Sequence, residues 1–280
     1  MKRLFLNHVD AWQVALVIAT LALLIHDAVK WQTVILLAAI TAGYWLAFAV
    51  NDFYDASCDA ADEAKARANF FAQAGHFSAK RIGLVFSGVT CFLLFAFARF
   101  GWRGIAVLAL CYLIMWAYSA PPLRLRNRPG WDLLVHALFV QTFPYLICLF
   151  LVGATWTSLD TTIIAIVFLA SLTAQLEQQV RDYEVDRKTG RNFATQTGIK
   201  ETIVLLKIAT AACMLVALAG VLVGAIPLFM LPFGLIGLPA LLHRFVRRPD
   251  QPRSERLVAI STTTALLYTG SVFIYFLFIS

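Results

Sequence analysis

The sequence predicts an all-α protein, a polytopic membrane bundle of nine transmembrane helices around a central cavity. Three observations carry this expectation. Of the 280 residues, 60% are hydrophobic and only 14% charged, whereas a water-soluble domain carries roughly a quarter. Nine apolar stretches reach the length of about 20 residues that a bilayer demands of a helix. Basic residues also segregate to alternate loops, as they do in membrane bundles.

The nine stretches lie at about 11–27, 31–50, 82–99, 104–119, 131–152, 161–180, 202–220, 222–243 and 257–279. The first is preceded by Lys2 and Arg3 but interrupted by Asp10, and no small-residue cleavage site follows Leu24. It is therefore read as a retained helix, not a cleaved leader. A short turn alone separates the seventh and eighth. With nine spans, the N-terminus shares a side with the even-numbered loops. Of the 23 Lys and Arg, all but Lys30, Arg99 and Arg103 fall on that side. That side is expected to be cytoplasmic, in the inner membrane of a prokaryote. The whole chain, 1–280, reads as one domain.

Charge and cysteine content exclude other classes. The net charge of +7 is spread between long apolar runs, so no basic patch suits nucleic acid. The five cysteines (Cys58, Cys91, Cys111, Cys148, Cys213) show no CxxC and no histidine at ligand spacing. They read as small apolar side chains.

Chemistry gathers at the cytoplasmic ends of the second and sixth helices. The second continues into Asn51-Asp52-Phe-Tyr-Asp55-Ala-Ser-Cys-Asp59-Ala-Ala-Asp62. At 3.6 residues per turn Asp52, Asp55, Asp59 and Asp62 share one stripe, with Asn51 at its edge. Stacked like charges repel and need a cation between them. Magnesium takes hard oxygens, typically one or two carboxylates together with substrate phosphates. The sixth helix ends in Gln175-Leu-Glu177-Gln178-Gln179-Val-Arg181-Asp182-Tyr-Glu184-Val-Asp186-Arg-Lys188. Asp182 and Asp186 are i,i+4 neighbours, and Gln175, Gln178 and Gln179 carry polarity into the bilayer, where it marks a cavity or a helix contact.

These residues resemble a known family. Asn51-Asp52-x-x-Asp55-x-x-x-Asp59 is similar to the NDxxDxxxD motif of the UbiA family of membrane prenyltransferases. Asp182-x-x-x-Asp186-Arg-Lys188-x-Gly190 is similar to its second motif, and Tyr118-Ser-Ala-Pro-Pro-Leu-Arg124-Leu-Arg126 to its YSxPPLRLK stretch. The resemblance implies a Mg-dependent enzyme. Asp52, Asp55, Asp59, Asp182 and Asp186 would hold two Mg²⁺ and the diphosphate of a polyprenyl donor, whose tail lies in an apolar groove. An allylic cation would then alkylate a lipophilic, aromatic or isoprenoid, acceptor. Asn51, Lys65, Arg67, Tyr118, Arg124, Arg126 and Lys188 would bind substrate.

Two departures bear on the diphosphate. The Asn-Arg-Pro segment of many members is replaced by a stretch containing Lys65 and Arg67, and Pro122 stands where some carry a lysine. Aromatic residues beside the motifs (Tyr44, Trp45, Phe53, Tyr54, Trp116, Tyr118) could face the cation, though packing is the usual role of such residues. His136, four residues after Asp132, reads as a core histidine or an acceptor-site base. The Asp62–Asn69 stretch also resembles lycopene elongases, which keeps a carotenoid acceptor open. A secondary transporter would put its charges near the midplane, and a CDP-alcohol phosphotransferase would carry a motif that is absent here.

Overall fold

The computed structural model describes residues 8–73, 78–246 and 254–279; Lys2, Arg3, Arg247, Arg248 and Arg253 lie outside the described residues. Twelve helices follow in chain order: α1 (Val9–Ile25), α2 (Trp31–Asp59), α3 (Glu63–Ala68), α4 (Ala79–Ala98), α5 (Gly101–Ser119), α6 (Trp131–Val152), α7 (Ser158–Arg181), α8 (Tyr183–Thr189), α9 (Phe193–Thr197), α10 (Ile199–Leu222), α11 (Leu231–Val246) and α12 (Glu255–Ile279). No strand occurs among the described residues.

The nine expected stretches each fall on a helix. Seven of these are long and apolar enough to cross a bilayer, namely α2, α4, α5, α6, α7, α10 and most of α12. The apolar helices α1 and α11 are shorter, at 17 and 16 residues. The chain is thus an integral membrane protein; among the described residues seven helices are full-length spans, while α1 and α11 are shorter. Helices α1 and α2 pack together, α1 also touches α6 and α12, and α7 pairs with both α6 and α10. With α11 against both α10 and α12, these contacts close a ring, and both acidic motifs line the cavity within it.

Helix α6 departs from regular geometry where that matters most. Residues Leu138–Thr142 form a π turn, in which each carbonyl looks five residues ahead for its donor. For Phe139 that residue is Pro144, which has no N–H. The Phe139 carbonyl instead accepts from the buried Tyr44 hydroxyl on α2. An unanswered buried carbonyl would cost about 1–3 kcal/mol, so this contact pins α2 to α6 below the cavity.

The far end of the bundle is closed by Asp160, fully buried at 0% exposure. Its Oδ2 caps α7 by accepting from the Thr157 N–H and hydroxyl, both at 2.7 Å. Its Oδ1 accepts from the Tyr145 hydroxyl at 2.7 Å and lies 2.7 Å from His26 Nε2. Four partners satisfy one carboxylate and join α1, α6 and α7.

Candidate active site

Helix α2 does not stop at the membrane edge. It runs on to Asp59, so Asp52, Asp55 and Asp59 project from one continuous helical face. Asp62 leaves this stripe: the helix ends before it, and its Oδ1 caps α3 by accepting from the Lys65 N–H at 2.9 Å. The second motif begins where α7 ends, with Asp182 in the turn and Asp186 on α8. Both motifs line one cavity of about 810 Å³, together with Asn51, Lys65, Tyr118, Arg124 and Arg126. Its walls also include Ala47, Ile114, Val140, Leu241 and Val258, which give the interior an apolar character.

Every motif carboxylate meets a nitrogen of the chain. Asp52, 5% exposed, lies 2.9 Å from His8 Nε2. Asp55, 4% exposed, is ion-paired with Arg126, lies 3.5 Å from Arg124 Nη2, and accepts from Asn51 Nδ2 at 3.0 Å. Asp59 accepts from Asn69 Nδ2 at 2.8 Å. Asp182 holds Arg181 through both oxygens, at 2.9 and 3.2 Å. Asp186 accepts from Lys65 Nζ at 2.6 Å and from Asn192 Nδ2 at 2.8 Å. The Lys65–Asp186 pair joins α3, which follows the first motif, to the second motif.

The electrostatics follow. Burial pulls the Lys65 ammonium down, but the hydrogen bond and charge of Asp186, with Asp182 and Asp59 behind it, raise its pKa overall. Burial lowers Arg126 to about 10, against the pull of Asp186 and Asp52. Both stay cationic at neutral pH. Among the described residues no three His, Cys, Asp or Glu side chains converge on one point. The carboxylates stand in two banks, Asp52, Asp55 and Asp59 on α2 and Asp182 and Asp186 at α7–α8. This hard-oxygen set fits Mg²⁺ shared with phosphate oxygens, an ion that needs only one or two carboxylates from the protein.

The structure places several of the expected residues away from the cavity. Arg67 is 76% exposed, pairs with Glu63 and does not line the cavity; Lys188 is also exposed and off the cavity. Phe53, Tyr54 and Trp116 are exposed and away from it, and Trp45 is packed in the core. Tyr44 sits over a small apolar pocket beneath the cavity, and of the six aromatics only Tyr118 lines the cavity itself. Gln179 is structural: its amide donates to Asp132 at 2.6 Å and accepts from the Ala194 N–H at 3.0 Å. Glu177, passed over in the sequence, is buried and lies 3.3 Å from Arg244 Nε of α11. His8, Asn69, Arg181 and Asn192 were also missed; each is separated from or offset against the motif it serves.

No curated protein sequence matches the chain. Solved structures do match its fold. A UbiA homologue from Archaeoglobus fulgidus bound to DMAPP and Mg²⁺ superposes with a TM-score of 0.76 at 20% identity, over 98% of this chain and 99% of the other. The same holds, at the same values, for the structure of a UbiA homologue from that organism bound to GPP and Mg²⁺. An apo UbiA homologue from Aeropyrum pernix K1 gives 0.69 at 14% identity, over 96% and 98%. The sequence model of the UbiA prenyltransferase family matches residues 12–267, nearly the whole chain. With three motifs in order, a ring of helices and both acidic banks on one cavity, the chain belongs to the UbiA prenyltransferase family.

Proposed function

We propose that the chain is a Mg-dependent prenyltransferase that moves a polyprenyl group from its diphosphate to a lipophilic acceptor inside the membrane. The observation that carries this reading is the pair of carboxylate banks on one apolar cavity, bridged by Lys65 and Asp186. The family match and the A. fulgidus homologues bound to DMAPP or GPP with Mg²⁺ support it.

Asp52, Asp55 and Asp59 on one bank and Asp182 and Asp186 on the other would hold two Mg²⁺. When bound, these ions neutralise the charge that develops on the departing diphosphate. Arg126, Arg124 and Lys65 stand against those carboxylates and supply the remaining positive charge to the phosphate oxygens. Asn51 holds Asp55 and accepts from Arg126 Nη1 at 3.3 Å, so it fixes the arginine's aim. The allylic C–O bond breaks with both electrons leaving on the diphosphate. A nucleophilic carbon of the acceptor supplies the pair for the new C–C bond and gives up its proton to diphosphate or water. The apolar walls exclude water from the cation meanwhile, and the Tyr118 ring lines the same space.

Diphosphate release from geranyl diphosphate by the purified chain tests this. It should require Mg²⁺ or Mn²⁺ and stop in excess chelator; full release under chelator sinks the reading. We place the cavity mouth on the cytoplasmic side of a prokaryotic inner membrane, because the basic loops share that side. Single cysteines introduced beside Arg126 or Arg187 should react with impermeant reagents only after the cells are opened. Reaction in intact cells reverses the orientation.

A further inference from the structure

The second acidic motif has little scaffold of its own. Asp186 stands on α8, a helix of seven residues that packs chiefly against α7 and α9, its neighbours in the chain. Helices shorter than about 12 residues are not stable alone in water, so the aim of the Asp186 carboxylate depends on what holds those neighbours. Asn192 is the first link. Its Nδ2 donates to Asp186 Oδ2 at 2.8 Å, and its Oδ1 caps α9 by accepting from the Thr195 N–H at 2.9 Å. The asparagine thus ties Asp186 to the start of α9, and where α9 starts decides where the asparagine points.

Two residues from outside the segment fix that start. Asp132, in the first turn of α6, accepts from the Phe193 N–H through Oδ2 at 2.8 Å. Gln179, in the last turn of α7, accepts from the Ala194 N–H at 3.0 Å and donates to the same Asp132 oxygen at 2.6 Å. The first three N–H groups of α9, which no helix can answer from within, are all taken. Two of the three answers come from α6 and α7. Asp132 itself is 1% exposed and does not line the cavity, so it touches neither the proposed donor nor its ions. Burying a carboxylate costs several kcal/mol, and an apolar side chain at the start of a membrane helix would avoid that cost. What the carboxylate provides is a fixed origin for α9.

We propose that Asp132 is a positioning residue for the second carboxylate bank. Through Phe193 and Gln179 it sets the start of α9, and through Asn192 it sets the aim of Asp186. This rests on the reading of Asp186 as a metal ligand of the proposed prenyltransferase. Partners of such ligands matter at metal sites, where losing one typically costs about 10–100-fold in affinity.

The test uses the full chain in lipid nanodiscs, with Mn²⁺ and geranyl S-thiolodiphosphate, a donor analogue that ionises poorly. Free Mn²⁺, read by electron paramagnetic resonance, gives the apparent Kd without turnover. Asp132→Leu should weaken Mn²⁺ binding roughly tenfold. Asp132→Asn should stay within about threefold of wild type, because one amide oxygen can accept both bonds. Asn192→Ala should weaken binding about as much as Asp132→Leu. Adding Asp132→Leu to Asn192→Ala should then cost no more than about twofold further, since the two act along one chain of contacts. Asp160→Ala is the comparison for stability: it should lower the melting temperature at least as far as Asp132→Leu and leave the Kd unchanged. If Asp132→Leu does not fold, Gln179→Met carries the same prediction, since it removes the Ala194 acceptor and keeps the side-chain volume. An unchanged Kd in the variant that folds overturns the proposal. So do additive losses in the double variant, or an equal loss in Asp160→Ala. A wild type that binds no Mn²⁺ overturns this proposal and the prenyltransferase reading together. A Kd weakened as expected, in a chain that releases no diphosphate from geranyl diphosphate, overturns that reading alone.

Discussion

At the far end of the bundle Asp160 is fully buried, and neutral hydroxyls, a backbone N–H and His26 answer its two oxygens. At the cavity mouth Asp55 and Asp186 are buried or half-buried too, but lysine and arginine hold them, and a large space opens beside them. Both arrangements satisfy a carboxylate in hydrocarbon surroundings. They differ in what can be exchanged. Asp160's partners come from three helices and leave no room for a ligand, so it is a fastener. The mouth's cations are side chains on short segments beside a cavity, where the diphosphate of the proposed donor would take them over. Burial alone therefore does not mark a functional acid; exchangeable partners facing empty space do.

Substitution at each end can break this comparison. Asp55→Ala and Asp186→Ala should each cut turnover by on the order of a hundredfold or more, with the melting temperature little changed. Asp160→Ala should do the reverse, because it strands the buried Tyr145 hydroxyl, the His26 ring and the two Thr157 donors at the start of α7. It should cost roughly 3–5 kcal/mol of stability and leave turnover per folded molecule near wild type. Thermal unfolding beside a rate per folded protein measures both, and equal effects at the two ends would erase the distinction. Arg126→Ala should raise the donor KM, by the roughly 1.5–3 kcal/mol of a charge-assisted phosphate contact. Arg126→Lys should recover part of it; an unchanged KM in Arg126→Ala would reduce this arginine to a topology signal.

A smaller effect concerns pH. The Lys65 pKa is raised, so its stabilising contribution is fully present below the unfolded-state value and is lost as pH rises through the folded one. The melting-temperature gap between wild type and Lys65→Met should thus stay flat from about pH 6 to 9 and shrink only above about pH 10. A gap that already shrinks well below pH 9 would contradict the raised lysine value. Smallest of all is Arg67→Ala. Its partner Glu63 is as exposed as it is, so stability should move by less than about 0.5 kcal/mol. The donor KM should not move, and a large rise would return Arg67 to the site.

Arg67 also illustrates what was legible in the sequence. Apolar length located the seven full-length spans among the described residues and the two shorter apolar helices α1 and α11, because span length is a local property of the chain. The stripe Asp52, Asp55, Asp59 was legible because α2 stays helical through it, and the approach of Arg124 and Arg126 followed from their motif. Arg67 and Lys188 were misplaced for one reason. Each stands two residues from a residue that lines the cavity, Lys65 or Asp186, and i,i+2 positions on a helix point to different sides. The partners His8, Asn69 and Asn192 carried no local signal, since each polar contact is made by chain reversal. Lys65 and Asp186 are 121 residues apart, a separation no periodicity encodes. The π turn, by contrast, could have been suspected from Pro144 in the middle of an apolar run.

The carboxylates sit at the mouth and the apolar walls below them, and this has a consequence for how substrate is found. A prenyl diphosphate dissolved in a bilayer already keeps its head at the interface and its tail among the acyl chains. For a donor of the proposed kind, the membrane would thus align it with the cavity before any encounter, and part of the orientational entropy of association would be spent in advance. The search is two-dimensional. The concentration that governs saturation is molecules of donor per lipid, so diluting proteoliposomes with buffer should leave the rate unchanged, while adding empty lipid should slow it.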